Sequence, residues 1–125
     1  MIARLTAEIL DRHKACEEKE RFRQEWPNGW IPNRLEAMAA WDRYDWNWAA
    51  EHLLIGRYLD CYVCCREQAK QYYIQDRRKL NASRKAGEIS WQGFDQASKN
   101  LRRAYRENLA VAFAEAMEKQ KEIEG

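Results

Sequence analysis

Apolar residues fall at Ile2, Leu5, Ile9 and Cys16, at steps of three, four and seven, with charged residues filling most positions between them. This is the stripe of an amphipathic helix, and it predicts one from Ile2 to about Trp26. The string Trp26-Pro27-Asn28-Gly29-Trp30-Ile31-Pro32-Asn33 stops it. Pro27 biases Trp26 away from α geometry, and Asn28-Gly29 favours a tight turn. Asn33 then has the character of an N-cap, with Glu36 three residues on in a loose capping box.

From Arg34 to Gly125 there is no proline, and the stretch is rich in Ala, Leu, Glu, Lys, Arg and Gln. It predicts helix with few interruptions. Gly56 is a weak point, and the segment from Asn81 to Gly87 is a stronger one. In Lys85-Ala86-Gly87-Glu88-Ile89-Ser90, Gly87 suits a left-handed C-terminal cap, Ile89 can pack back on the previous helix, and Ser90 can cap a following helix. That last helix carries Phe94, Ala97, Leu101, Tyr105, Leu109, Ala112 and Ala116 at steps of three or four, widened by Phe113 and Met117. The preceding stretch repeats the pattern through Leu59, Tyr62, Ala69, Tyr73 and Leu80. Two such helices with a short joint form an antiparallel hairpin, at about 57–86 and 91–123. The expected fold is all-α: one domain over 1–125, a small bundle of three to four helices with a long hairpin that projects from it. Periodicity leaves open whether 34–86 is one helix or two.

Trp41, Tyr44, Trp46 and Trp48 crowd the middle of the chain. On a continuous helix Trp41, Tyr44 and Trp48 share a face, which assigns them to the core. Trp46 then points elsewhere with Ala50 and Leu53. Rings on two faces cannot all enter one small core, so Trp46 is expected to meet a partner, a second copy of this chain included.

Composition narrows the class. The chain has 125 residues, 46% of them hydrophobic and 34% charged, with five Gly and two Pro. These values fit one soluble domain and exclude a turn-rich β architecture. No apolar run is long enough for a bilayer. The opening MIARLTAEILDRHK reaches charged residues too soon for a secretory segment. Cys16, Cys61, Cys64 and Cys65 then read as reduced thiols, and the expected compartment is the cytoplasm.

Candidate chemistry is sparse. His13, Cys16, Cys61 and Cys64 or Cys65 would make a Cys₃His zinc set if the first helix packed beside the second region. The spacing lacks the turn residues of a zinc knuckle, and free Cys also fills core space, so no metal or cofactor is assigned. The Glu-x-x-His pairs of a di-iron bundle are missing, with Leu10 and Ala49 in the Glu positions. A dyad of His52 with Cys64 or Cys65 would need a bend in the helix between them. No serine-hydrolase elbow, phosphate loop, zinc-protease or dinucleotide motif occurs, and the protein is read as a non-enzyme.

Charge is segregated. Residues 70–106 hold Lys70, Arg77, Arg78, Lys79, Arg84, Lys85, Lys99, Arg102, Arg103 and Arg106 against Asp76, Glu88 and Asp95, while the regions on either side are net acidic. A hairpin joint at Gly87 would bring these cations together, with Tyr72, Tyr73, Trp91 and Phe94 nearby. The expected function is therefore a small helical interaction protein, a regulator or inhibitor docking on another protein through exposed aromatic and basic residues. The expected site is Arg77, Arg78, Lys79, Arg84, Lys85, Arg102, Arg103, Arg106, Trp46 and Trp91. The alternative is nucleic-acid binding by the basic hairpin 70–106. The string Tyr72-Tyr73-Ile74-Gln75-Asp76-Arg77 resembles one in the lambda Gam nuclease-inhibitor family. The likeness covers those six residues, and no fold, activity or site residue is carried over from it.

Overall fold

The computed structural model describes residues 4–12 and 16–120, apart from the side chains of Ala7 and of residues 11–19. Six helices occur among the described residues: α1 (Ala7–Arg12), α2 (Cys16–Glu25), α3 (Arg34–Ala39), α4 (Trp46–Leu53), α5 (Gly56–Lys85) and α6 (Trp91–Lys119). The fold is an all-α bundle, and its longest elements are the antiparallel pair α5 and α6, as the periodicity predicted.

Three boundaries correct the sequence reading. Leu5 lies outside the first helix, in extended backbone paired with Trp30: Leu5 N–H donates to the Trp30 carbonyl at 2.8 Å, and Trp30 N–H donates back at 2.7 Å. Gly29 makes that approach feasible. Its φ is 85°, and a Cβ there would come within 3.0 Å of the Leu5 carbonyl oxygen. Secondly, the segment 34–86 is neither one helix nor two but three. Asn33 caps α3 by accepting from the N–H groups of Leu35 and Glu36, at 2.8 and 3.2 Å. That helix ends after six residues, the chain turns through 40–45, and Asp45 starts α4 by accepting from Trp48 N–H at 3.0 Å. Gly56, at φ 52°, marks the break into α5. Thirdly, α6 ends at Lys119 with Gln120 as its cap; the expected end at 123 lies outside the described residues.

The turn through 40–45 explains the aromatic middle. It sends Tyr44 and Trp46 inward together, where continuous helix would have separated them. Trp26 stacks on Trp30 and Tyr44 with ring centroids 4.8 and 5.6 Å apart, and Phe22 lies 5.2 Å from Trp26. Trp46 joins this cluster to α6 through Phe113, at 5.6 Å. Trp46 is 5% exposed, so its expected place on a partner surface is overturned: its ring is core. Leu53, Leu54, Tyr62, Leu109 and Met117 complete the packing. This end of the molecule is the head.

Two buried polar side chains fasten the head. Gln120 accepts from Ile55 N–H at 3.0 Å and donates to the Leu53 carbonyl at 2.9 Å, tying the end of α6 to the linker between α4 and α5. Tyr62, fully buried on α5, donates to Asn47 Oδ1 at 2.6 Å. Burial holds the Tyr62 hydroxyl protonated far above its ordinary range.

Candidate functional site

The joint at residues 86–90 forms as its sequence dictates. Gly87, at φ 73°, donates to the Arg84 carbonyl at 3.1 Å, and Glu88 N–H reaches the Ser83 carbonyl at 2.9 Å. This is the pair of hydrogen bonds of a glycine helix stop. Ser90 Oγ accepts from Gly93 N–H at 3.0 Å and opens α6. Ile89 packs forward onto Gly93 of α6, where an added Cβ would meet its side chain at 3.0 Å, whereas the expected packing was back on the preceding helix.

Beyond the head the hairpin is uncovered, save where Arg103 and Arg106 reach Trp41. None of the residues from 70 to 108 is buried, although α5 and α6 run about 45 and 44 Å at 1.5 Å per residue. Their contact is a single seam of half-buried side chains, including Tyr73 against Tyr105 with centroids 5.5 Å apart. This distal part, the arm, carries all ten expected cations.

Helical phase sorts them. Side chains advance by about 100° per residue, and in an antiparallel pair the positions one after each seam residue fall on the same side of the two-helix layer. With Ala69, Tyr73 and Leu80 on the seam of α5, and Phe94, Leu101 and Tyr105 on that of α6, one side receives Lys70, Arg77, Arg78, Lys85, Lys99, Arg102 and Arg106. Asp95 is the carboxylate among them. The opposite side begins at a groove lined by Cys65, Gln68, Tyr72, Asn108, Val111 and Glu115. It continues through Asn100 and Ala104, with Asp76 and Lys79. The arm thus has a cationic face and one whose few charges are of mixed sign. Arg103 turns to the outer edge of α6.

Among the described residues, carboxylates pair with two of the ten cations: Lys99 with Asp95 at 3.1 Å and Arg103 with Glu107 at 2.6 Å. Three arginines rest on aromatic groups instead. Arg77 donates to the Tyr73 hydroxyl at 2.8 Å. Arg84 lies 3.7 Å from the centre of the Trp91 ring and 5.1 Å from that of Phe94. Arg106, with Arg103, covers Trp41 at 5.1 and 5.4 Å. These stacked arginines keep their charge and their outward donors. Lys70, Arg78, Lys79, Lys85 and Arg102 are exposed without a carboxylate partner among the described residues.

The cationic face is hollowed at both ends. At the tip, Asn81, Arg84, Lys85, Ile89 and Trp91 line a cleft of about 530 Å³, and Trp91 is 68% exposed. At the head, Tyr105 and Arg106 form a groove of about 470 Å³ with Arg21, Asp42, Arg43 and Asp45. There Glu25 receives both Arg43 and the Tyr44 hydroxyl, the latter at 2.8 Å. Burial, and then the Glu25 hydrogen bond, raises the Tyr44 hydroxyl well above its ordinary range.

The remaining candidates do not come together among the described residues. Cys61, Cys64 and Cys65 are free and exposed on α5, and burial followed by nearby Glu115 pushes the Cys65 thiol up, away from thiolate chemistry. His13 and the Cys16 side chain lie outside the described residues. Among the described residues no group of three His, Cys, Asp or Glu is placed to hold a metal ion. The His52 ring stacks on Trp48 at 4.4 Å, with Nδ1 2.9 Å from the Trp48 carbonyl oxygen. No described helix is long and apolar enough to cross a membrane.

Fold and surface together define a class: a small helical head bearing an uncovered, two-faced helical arm. No family model, curated protein or solved structure matches this chain.

Proposed function

We propose that this chain is a non-enzymatic interaction protein whose cationic arm face docks on an acidic surface of another protein, acting as a regulator or inhibitor by covering it. The observation that supports this most is the arm's combination of an unburied length of chain with a row of cations most of which lack a carboxylate partner among the described residues. A helix pair held by one seam contributes little to its own stability, so its outward face is where selection for function would act. Arg and Trp are the usual anchors of protein interfaces, and both occur at the tip. The row from Lys70 to Lys85 extends about 22 Å along α5, which suits one side of an interface of ordinary size.

The same row, with aromatic rings at both ends, supports a second reading, binding to nucleic acid. One experiment separates the two. Immobilised wild type and the Arg78→Glu, Arg102→Glu, Arg106→Glu triple variant are compared for retained proteins, and both are titrated with duplex and single-stranded oligonucleotides. Docking on protein predicts a retained partner that the triple variant loses, with no mobility shift at about 0.15 M salt. A shift whose affinity falls steeply with salt transfers the function to nucleic acid. Equal retention by both forms, with no shift, refutes both readings.

A further inference from the structure

Building on the reading that the arm docks on a protein, we propose that the tip cleft is the receptor for an extended acidic segment of that partner, a peptide in which a carboxylate side chain neighbours an aromatic or aliphatic one. A failure of this proposal leaves the docking face standing, because that face extends along the arm through Lys70, Arg77, Arg78 and Arg102 and shares only Lys85 with the cleft.

The lining carries the argument. Arg84 and Lys85 supply two positive charges, and no carboxylate lines the cleft. The Arg84 guanidinium is already fixed against Trp91 at 3.7 Å, so its planar donor fork is oriented before a ligand arrives. That arrangement favours a carboxylate, which a guanidinium grips with two parallel hydrogen bonds. Lys85 adds a second, mobile charge for a neighbouring acidic group. Trp91 and Ile89 form the apolar wall, and a solvent-exposed indole beside an aliphatic side chain takes an aromatic or branched residue. Asn81 offers both a donor and an acceptor, the pair that an extended peptide backbone presents in return. A volume of about 530 Å³ accommodates a few residues of chain but not a folded surface element. The rigid glycine stop at Gly87 and the Ser90 cap hold the two walls at a fixed separation.

The test uses the full chain and three fluorescent probes: a peptide of alternating glutamate and phenylalanine, an all-glutamate peptide, and oligothymidylate of matched charge. Titrations at about 0.15 M salt confine electrostatics to roughly 8 Å, so distant arginines contribute little. The mixed peptide should bind about tenfold more tightly than the all-glutamate one. Trp91→Ala and Lys85→Glu should each weaken it about tenfold, whereas the pair Arg102→Glu, Arg106→Glu should change it less than about twofold. Far-ultraviolet circular dichroism verifies that each variant keeps its helix content. The proposal is overturned if the two peptides bind alike, if Trp91→Ala binds as well as wild type, or if the oligothymidylate binds most tightly. It is equally overturned if the mixed peptide fails to saturate below about 1 mM. The docking face is judged separately, by whether the triple arm variant loses its retained partner.

Discussion

The head and the arm are built from the same two helices yet solve opposite problems. In the head, α5 and α6 bury Tyr62, Leu109, Phe113 and Met117 against a cluster of five other aromatic rings, with Gln120 both accepting and donating a hydrogen bond. In the arm, the same helices half-bury a single seam of side chains and leave most of their cations without acidic partners among the described residues. Apolar burial stabilises by about 25 cal/mol per Å² and dominates folding, so the head sets the stability of the molecule. The arm relies on one seam, its caps and helix propensity. A region held so lightly and charged so heavily is poorly explained by folding alone, which is the reason for assigning function there.

The sharpest way to break this contrast is to truncate one side chain in each region. Phe113→Ala removes a fully buried ring that bridges Trp46 and α6, and should cost about 3–5 kcal/mol in denaturant unfolding. Leu101→Ala, on the half-buried seam of the arm, should cost about 1 kcal/mol. Comparable losses would mean that the arm is as much a core as the head. Hydrogen exchange gives the same contrast without mutation, with amides of residues 74–104 exchanging before those of 109–117.

The next effect concerns the polar clamp of the head. Gln120→Ala leaves the Ile55 N–H and Leu53 carbonyl without their partners, which should cost about 1–3 kcal/mol. Gln120→Glu restores the acceptor but not the donor, so it should not recover wild-type stability. A neutral result for Gln120→Ala would show that the linker between α4 and α5 is held by packing alone.

Alkaline titration should also act through the head. Tyr44 and Tyr62 are both raised above the ordinary tyrosine value of 10.0. In the unfolded chain they lose their protons near that value while the folded chain retains its own. Their contribution is therefore constant below about pH 9, and stability falls as pH rises past 10, by up to about 1.4 kcal/mol per pH unit for each tyrosine. Tyr62→Phe should flatten this dependence by up to half. A stability unchanged between about pH 9 and 11 would contradict the burial of both hydroxyls.

The parts of this contrast that sequence made legible are local. Gly87, Ile89 and Ser90 specify their joint within a few residues, and Asn33 caps its helix through its own side chain, so each was readable without the fold. The segregation of charge along the chain was readable too, because it follows from which residues occupy 70–106; the side of the arm that each cation takes needed the seam set by packing. The turn at 40–45 was not: it contains no proline or glycine, and α3 ends where Ala37 and Ala40 are already buried. Asp45, a good cap just before Trp46, was the available signal. Trp46 was misplaced because a period of 3.6 was carried through residues that are not helical. Gln120 was invisible, since its partners Leu53 and Ile55 lie more than sixty positions away.

The smallest expected effect sharpens the contrast most narrowly, because it touches the arm and nothing else. Gly87 holds a left-handed conformation with nothing within 4 Å of an added Cβ, so Gly87→Ala meets strain from the backbone and none from neighbours. That strain is about 1 kcal/mol. If head and arm unfold as separate units, it should speed exchange of the amides flanking the joint while those of α6 from Leu109 to Met117 exchange at the wild-type rate. If the two ends unfold together, the same substitution should speed exchange across both. Uniform acceleration would make the molecule one cooperative body, and the arm's light packing would then no longer distinguish it from the head.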